Sequence, residues 1–321
     1  MNHLPLLLKR EYWEHRGGFL WTPVWITASI LILTVLGMLA AEVFRSHVQV
    51  HAGFSLDELR ANIGANDMAE AGRGLDVVQL MFGGVASIGL FFVTFFYLLG
   101  ALYDDRRDRS VLFWKSLPVS DVATVVSKAL TAMLVIPAFA LVVSTAAYVV
   151  FLVIATVWAG VHGLNALPAV LAAHPLGIAL RIVALLPVGA LWALPAVGWL
   201  LFWSAFARSK PFLWAVLVPL IALVANAWLG LMGGPHLTST AQLAAMLGRL
   251  LFSIVPGSWI AGGKHFFGGN WAHGDDVLGH LDLGRSYALF ATPDLWVGAV
   301  AGLALLAAAV WYRGRRIESS V

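Results

Sequence analysis

Histidines and aspartates gather in the last long polar segment of the chain, and these residue types could bind a transition metal. The histidines are His236, His265, His273 and His280, and the aspartates are Asp275, Asp276 and Asp282. The segment lacks the HExxH spacing or any comparable pairing of ligands. We therefore expect a solvated loop and predict no catalytic or metal-binding residue. A metal site in a membrane-embedded enzyme is the alternative.

The sequence contains no nucleotide-binding motif of the P-loop type. A P-loop is a glycine-rich stretch that ends in Gly-Lys followed by Ser or Thr, and its backbone amides hold the phosphates. The nearest string, GSWIAGGKHF from residue 257, has Ser258 in place of the first glycine and His265 in place of Ser or Thr. Cysteine is absent, which excludes thiolate nucleophiles, thiolate metal sites and disulfides. No cofactor is expected on this chain.

The composition indicates that membrane-spanning helices hold these polar segments. Of the 321 residues, 60% are apolar and 12% are charged, and the mean hydropathy is +0.84. A soluble domain has about 25% charged residues, and a membrane span needs roughly 20 apolar ones. Six runs reach that length, at residues 22–44, 77–102, 129–158, 182–207, 212–232 and 295–312. We expect an all-α, polytopic membrane protein with one transmembrane domain over residues 1–321.

Lys and Arg residues are distributed unevenly between the two sides of the predicted spans. Thirteen of the 20 lie on the side of the N-terminus, and the other side has much longer loops. Basic residues that flank spans are retained in the cytoplasm, so both termini should be cytoplasmic and residues 45–76 and 233–294 external. An apolar stretch at 243–255 is too short to span and should lie in the interface or dip into the membrane. The scattered bases give no nucleic-acid footprint.

The most charged stretch of the chain, LYDDRRDRSVLFWKSLPVSD at residues 102–121, connects the second and third spans. It should begin as a solvated turn and continue as a short helix that stops before Pro118. Ser120 is the expected N-cap of the next helix. The four consecutive apolar residues VLFW at 111–114 must pack on lipid headgroups, on the protein's own helices or on a partner.

With this segment the chain resembles the six-span permease subunits of ABC-2 type exporters. In that family an acidic and basic loop after the second span leads into a coupling helix, which docks into a groove of the ATPase subunit. The resemblance implies a type V exporter-like permease fold with a coupling segment at residues 104–121. It assigns ATPase coupling to Arg109, Ser110, Val111, Leu112, Phe113, Trp114, Lys115, Ser116 and Leu117.

The same resemblance implies partners and a location. The permease would pair with a second copy, identical or different, and with two P-loop ATPase subunits that bind ATP and Mg²⁺. The complex would lie in the bacterial cytoplasmic (inner) membrane and move a hydrophobic or amphiphilic substrate outward. ATP-driven closure of the ATPase pair would push on the coupling segment and on the N-terminal helix.

Residues 3–18 fit the interfacial helix that family members carry before the first span. An apolar stripe at i, i+4 and i+8 would face the membrane while charged residues face water. The residues that we assign to this helix are Leu4, Leu8, Lys9, Arg10 and Tyr12. A plain helix at the start of the chain is the alternative.

A secondary transporter or channel that is not driven by ATP is the chief alternative function. A proton- or ion-coupled transporter normally places ionisable residues in the middle of its spans, and the predicted spans have almost none. Glu42 and Arg181 lie at predicted span ends. Gln79 and Asn226 are polar residues within the spans, where hydrogen bonding between helices is the expected use. A membrane-embedded enzyme is the second alternative.

Overall fold

The protein is described here from a computed structural model that covers residues 4–43, 65–108, 120–233, 239–259, 278–279 and 281–318. Within these ranges the regular elements are helices. Six stretches are long and apolar enough to cross a membrane: Leu4–Ala40, Ala69–Arg107, Asp121–Val161, Leu167–Phe206, Pro211–Leu231 and Pro293–Arg315. Each corresponds to one predicted span, and we number them spans 1 to 6. The prediction of an all-α, multi-pass membrane protein is confirmed.

The α-helices of the described residues are numbered in chain order. They are α1 Leu4–Arg16, α2 Thr22–Val43, α3 Ala65–Ala101, α4 Tyr103–Arg107, α5 Asp121–Leu130, α6 Ile136–Val161, α7 Leu167–Ala172, α8 Pro175–Phe206, α9 Pro211–Leu231, α10 Thr240–Phe252, α11 Leu283–Tyr287 and α12 Pro293–Glu318. Short π-helical turns at Gly17–Trp21 and Thr131–Val135 join α1 to α2 and α5 to α6. Spans 1 and 3 are therefore continuous helical stretches with a local change of pitch.

Proline explains the wide turn in span 3. Pro137 has no N–H to donate, and its ring would clash with the carbonyl of Met133 in a regular α-helix. The π-helical turn Thr131–Val135 comes immediately before it and relieves that clash by widening the helix. The long third run, which we predicted as a single span, is thus one span with a bulge near its start.

Span 4 lies at the centre of the bundle, and its contact with span 6 is the most extensive helix pair. Two glycines make this approach possible. A β-carbon on Gly198 would collide with the backbone of Gly302, and one on Gly302 would collide with the backbone at Leu194. Small residues of this kind allow helix backbones to touch in a membrane. Gly298 and Gly302, four residues apart, form a GxxxG pair on span 6.

Helix α10 packs against the sides of spans 4 and 5, and none of its residues is buried. Ser239 caps its start by accepting a hydrogen bond from the Gln242 amide (3.3 Å). At its other end the ring of Phe252 stacks on Phe91, with centroids 5.7 Å apart, and Phe91 lies in the middle of the apolar run of span 2. The apolar stretch predicted at 243–255 therefore packs against spans 4 and 5, and Phe252 connects its end to span 2.

Candidate functional site

Charged residues from four distant parts of the chain meet at one end of the bundle. We call this the charged end, and it comprises α1, α4, the start of α5 and the last turns of α12. The residues that meet there are Glu11, Asp105, Asp121, Lys128 and Arg313. The side chains of Glu11 and Lys128 are each 1% exposed. Charges this deeply buried are costly unless they are paired, so their partners decide what the site can do.

Lys128 lies at the centre of this network. Its Nζ is 3.1 Å from Glu11 Oε1 and 3.5 Å from Asp105 Oδ2. The other oxygen of Glu11 accepts a hydrogen bond from the Tyr97 hydroxyl at 2.8 Å. One ammonium therefore holds two carboxylates that come from span 2 and from the N-terminal helix.

Arg313 extends the network to span 6. Its Nη1 is 3.4 Å from the same Asp105 oxygen that faces Lys128. Its Nε donates to Asp121 Oδ1 at 2.9 Å. The network therefore alternates acids and bases, and each of its buried charges faces an opposite one. Such an arrangement satisfies the requirement that a buried ion pair compensate the loss of hydration.

Helix α1 reaches the network with a face that differs from the predicted one. Leu4, Leu8 and Tyr12 of the predicted stripe are only half-buried, whereas Leu7 and Glu11 are buried. The reason is that α1 packs against α5 and the turn after it, where Glu11 meets Lys128. The Tyr12 ring supports this contact by stacking on Phe139 of span 3, with centroids 4.8 Å apart. The buried face of α1 is therefore centred on Glu11, and the predicted apolar stripe lies beside that face.

The charged members of the predicted interfacial helix take less part in the contact. Lys9 is exposed, and Arg10 is half-buried with its guanidinium 3.3 Å from Glu14 in an i,i+4 pair. Pairs of this kind contribute about 0.3–0.5 kcal/mol. Among the charged residues of α1, Glu11 therefore makes the main contact with the network.

The expectation of a solvated turn at the start of the segment after span 2 is wrong for Asp105. The chain kinks at Leu102 and continues as α4, which turns Asp105 inward until its side chain is 9% exposed. The amides of Leu102 and Tyr103 lie at this kink. Both donate to the hydroxyl oxygen of Ser204 in span 4, at 2.9 and 3.0 Å.

Arg106 completes the connection between α4 and span 4. Its guanidinium donates to the carbonyls of Ser204 and Ala207, the second at 3.1 Å. These carbonyls lie at the end of span 4, where no following turn of helix supplies N–H groups that could donate to them. The end of span 2 and the end of span 4 therefore satisfy each other's free backbone groups.

Replacement of Ser204 by alanine should destabilise the protein by about 1–3 kcal/mol, because the buried Leu102 amide and the half-buried Tyr103 amide both lose this acceptor. Ser29→Ala is the matched control, since the Ser29 hydroxyl is exposed and donates only to the Trp25 carbonyl in its own helix. We expect a lower thermal unfolding midpoint in detergent for Ser204→Ala and an unchanged one for Ser29→Ala. Equal midpoints for the two variants would contradict this role of Ser204.

The segment predicted to couple to an ATPase begins and ends at this network. Residues 109–119, which include Arg109, Ser110, Val111, Leu112, Phe113, Trp114, Lys115, Ser116 and Leu117, lie outside the described residues. The flanking residues are described. Asp108 follows α4, and Ser120 caps α5 as predicted, with its hydroxyl oxygen accepting from the Ala123 amide at 3.1 Å. Asp121, the next residue, binds Arg313.

The other polar residues singled out from the sequence lie away from the charged end. Gln79 Nε2 donates to the Pro175 carbonyl at 3.0 Å and joins spans 2 and 4, as expected for hydrogen bonding between helices. Glu42 Oε2 is 2.8 Å from His162 Nε2 and joins spans 1 and 3. Arg181 is exposed.

The predicted metal-type residues lie mostly outside the described part. His236, His265, His273, His280, Asp275 and Asp276 belong to the residues that are not described. Asp282 caps α11 by accepting from the Gly284 amide at 2.8 Å. Within the described ranges no group of three or more His, Asp or Glu residues is placed to hold a metal ion.

The network includes residues whose role the sequence did not reveal: Glu11, Lys128 and Arg313. In the sequence, Lys128 and Arg313 count only among the thirteen basic residues on the side of the N-terminus, and Glu11 is one acid in the segment before the first span. The available signal was a charged residue on an apolar helix face, as with Lys128 between Val125 and Ala129, which are both buried. No protein-family model, characterised protein or solved structure matches this chain. The functional argument therefore rests on this geometry and on the segment that it supports.

Proposed function

We propose that this chain is the membrane-spanning permease subunit of an ATP-driven exporter of the ABC-2 type. Both of its termini would lie in the cytoplasm at the bacterial inner membrane. It would pair with a second permease and with two P-loop ATPase chains, which bind the ATP and Mg²⁺. The observation that carries this proposal is the buried charge network at both ends of residues 109–119.

A coupling segment can move the spans only if the residues that join it to them are held rigidly. The network supports this requirement, because Asp105 lies just before the segment, Asp121 lies just after it, and both bind Arg313. Lys128 and Glu11 extend the connection to span 3 and to α1. Charge-assisted hydrogen bonds that are shielded from water are strong, and separating their partners costs much free energy. A push on residues 109–119 would therefore move the ends of spans 1, 2, 3 and 6 together.

The apolar residues of the segment support a protein partner. Val111, Leu112, Phe113 and Trp114 are consecutive, so a helix cannot turn all four toward its own bundle. Two of them are aromatic, and buried aromatic residues are common anchors of protein interfaces. A partner with an apolar groove would cover these side chains.

A proton-coupled secondary transporter is the second candidate, and the buried carboxylates of Glu11 and Asp105 are the observation that favours it. Two features count against it. Both carboxylates face a base, and both lie at one end of the bundle instead of at its middle. A carboxylate that carries protons across a membrane must exchange them with both sides.

Purification of the chain from its native membrane in mild detergent tests the proposal. We expect a P-loop ATPase to co-purify, and we expect Phe113→Asp combined with Trp114→Asp to release it, because two charges cannot enter an apolar groove without a large desolvation cost. The matched control, Phe113→Leu combined with Trp114→Phe, keeps the apolar surface and should retain the ATPase. The thermal unfolding midpoint of the permease should be the same in both double variants.

Two outcomes would overturn the proposal. The first is the absence of any ATPase in the preparation together with substrate flux driven by a proton gradient. The second is full retention of the ATPase by the double aspartate variant, which would place the docking surface elsewhere.

A further inference from the structure

Helix α1 has one long exposed face beside the charge network, and we call it the outer face of α1. Its members follow one another at intervals of three, four and three residues, a spacing that places side chains on one side of a helix. They are Leu6, Lys9, Trp13 and Arg16, and all four are exposed. The outer face lies opposite the buried residues Leu7 and Glu11. It is therefore a different surface from the apolar stripe that the sequence predicted to face the membrane.

The outer face combines large apolar side chains with positive charge. Leu6 is 67% exposed and Trp13 is 55% exposed. The guanidinium carbon of Arg16 lies 5.6 Å from the centre of the Trp13 ring. Among the described residues, neither Lys9 nor Arg16 takes part in a salt bridge, and the nearby acid Glu14 already binds Arg10. Two unpaired bases therefore lie next to two exposed apolar side chains.

The contact of α1 with span 3 fixes the level of the outer face in the bilayer. Tyr12, the residue before Trp13, stacks on Phe139 with centroids 4.8 Å apart. Phe139 lies in the first turn of α6, whose 26 residues make it roughly 39 Å long. The hydrocarbon core is only about 30 Å thick, so the start of α6 reaches the headgroup region. Trp13 lies at this same level.

A second tryptophan–arginine pair is found at the same end of the bundle. In the last turns of span 6, the guanidinium carbon of Arg315 lies 4.3 Å from the centre of the Trp311 ring, and Trp311 is 56% exposed. Exposed tryptophans gather at the headgroup level of membranes, and arginines there extend their charge toward the headgroups. The pair on α1 has the same character, but Lys9 adds a second base to it.

The mixture of charge and apolar surface restricts what covers the outer face. A soluble anion would pair with the bases but would leave the leucine and tryptophan side chains exposed. A zwitterionic lipid would cover the apolar side chains, but it has no net charge to offset two bases. An anionic phospholipid satisfies both requirements, because its phosphate carries the charge and its glycerol and acyl groups supply the apolar contact.

We propose that the outer face of α1 binds an anionic phospholipid of the leaflet on the side of the N-terminus. Lys9 and Arg16 pair with the phosphate, and Leu6 and Trp13 lie against the glycerol and the first methylenes of the acyl chains. The site is complete within one protomer and needs neither a second permease nor an ATPase. Its test is therefore independent of the function proposed above.

The test uses the purified full chain in neutral detergent, with equal amounts of phosphatidylglycerol and phosphatidylcholine added. Native mass spectrometry counts the lipids that stay bound, and we expect phosphatidylglycerol to be retained in preference. Each base near an anionic lipid contributes about a five-fold gain in affinity, so Lys9→Gln combined with Arg16→Gln should weaken phosphatidylglycerol binding about 30-fold. Phosphatidylcholine binding should not change.

Arg107→Gln combined with Arg208→Gln is the matched control. It removes two exposed bases on the same side of the membrane but away from α1, so it should retain phosphatidylglycerol like the unmodified chain. Trp13→Gln keeps both bases and should weaken binding through the loss of apolar contact. Excess inorganic phosphate should not displace the lipid. Equal thermal unfolding midpoints without added lipid show that the variants are folded.

Several results would overturn the proposal. Unchanged phosphatidylglycerol retention in Lys9→Gln combined with Arg16→Gln would place the lipid elsewhere, and loss of a co-purified protein from this variant would then assign the outer face to that protein. An equal loss in the control would show attraction by the overall positive charge of this side. Displacement by inorganic phosphate would indicate a site for free anions, and equal retention of the two lipids would show no selection for charge.

Discussion

Replacement of Lys128 by methionine is expected to lower the free energy of unfolding by about 3–5 kcal/mol, the cost of removing one partner from a buried ion pair. Methionine retains much of the length of the lysine stem but carries no charge. The ammonium lies 3.1 Å from Glu11 and 3.5 Å from Asp105, so its loss leaves two buried carboxylates near each other. A loss of this size is a large share of the stability of a typical protein.

Unfolding in a graded series of SDS concentrations would measure this loss. Arg107→Met is the matched control at the same end of the bundle. Its guanidinium is 66% exposed and pairs with Asp104 and Asp108, so its removal should cost less than about 1 kcal/mol. Adding Glu11→Gln to Lys128→Met should recover part of the loss, because Glu11 is the carboxylate that loses its only basic partner, whereas Asp105 keeps Arg313. If Lys128→Met is no more harmful than Arg107→Met, the network does not stabilise the fold.

Replacement of Gly302 by valine is the second large effect, and we expect most of the protein to fail to reach the folded state. Two or more added methyl-sized groups in a well-packed core typically cost about 1–3 kcal/mol. Here the obstacle is the backbone of span 4 at Leu194, which cannot swing aside like a side chain. Spans 4 and 6 would have to separate along their shared surface. The measurement is the yield of monodisperse protein and its resistance to limited proteolysis.

Gly198→Val should act in the same way, because its β-carbon meets the Gly302 carbonyl. The two changes should not be additive, since each opens the same contact. Gly230→Val in α9 is the control, because a β-carbon there meets nothing within 4 Å. A Gly302→Val variant with normal yield and an unchanged unfolding midpoint would show that the two backbones do not touch.

The six spans could be predicted because hydropathy is a property of a local run of residues. A run such as Pro211–Leu231 contains no charged residue, and no tertiary contact is needed to recognise it. Local chemistry was equally informative at Ser120, where an N-cap followed by a first-turn acid predicted the start of α5. The GxxxG spacing of Gly298 and Gly302 is also local, but nothing in that spacing names the helix that the two glycines contact.

The charge network could not be predicted because its members are related only in three dimensions. Glu11 and Lys128 are separated by most of spans 1 and 2, and hydropathy treats each as a loop charge. Asp105 was expected to be solvated because it lies in the most charged stretch of the chain, where its neighbours Asp104 and Arg107 are indeed exposed. Its burial follows from the kink at Leu102, which depends on the hydroxyl of Ser204 about a hundred residues away. Contacts of this kind become visible only when the helices are assembled.

The order in which the network residues are synthesised has a consequence for how the bundle is assembled. Glu11, Asp105, Asp121 and Lys128 are made before Arg313, the last member of the network to leave the ribosome. Until span 6 inserts, the network of Glu11, Asp105, Asp121 and Lys128 therefore holds three carboxylates against one ammonium. A chain that stalls after span 5 retains this imbalance, and Asp121 then has no Arg313 to bind. Insertion of span 6 thus adds the base that balances this network, so the last span both closes the bundle and neutralises the buried carboxylates made before it.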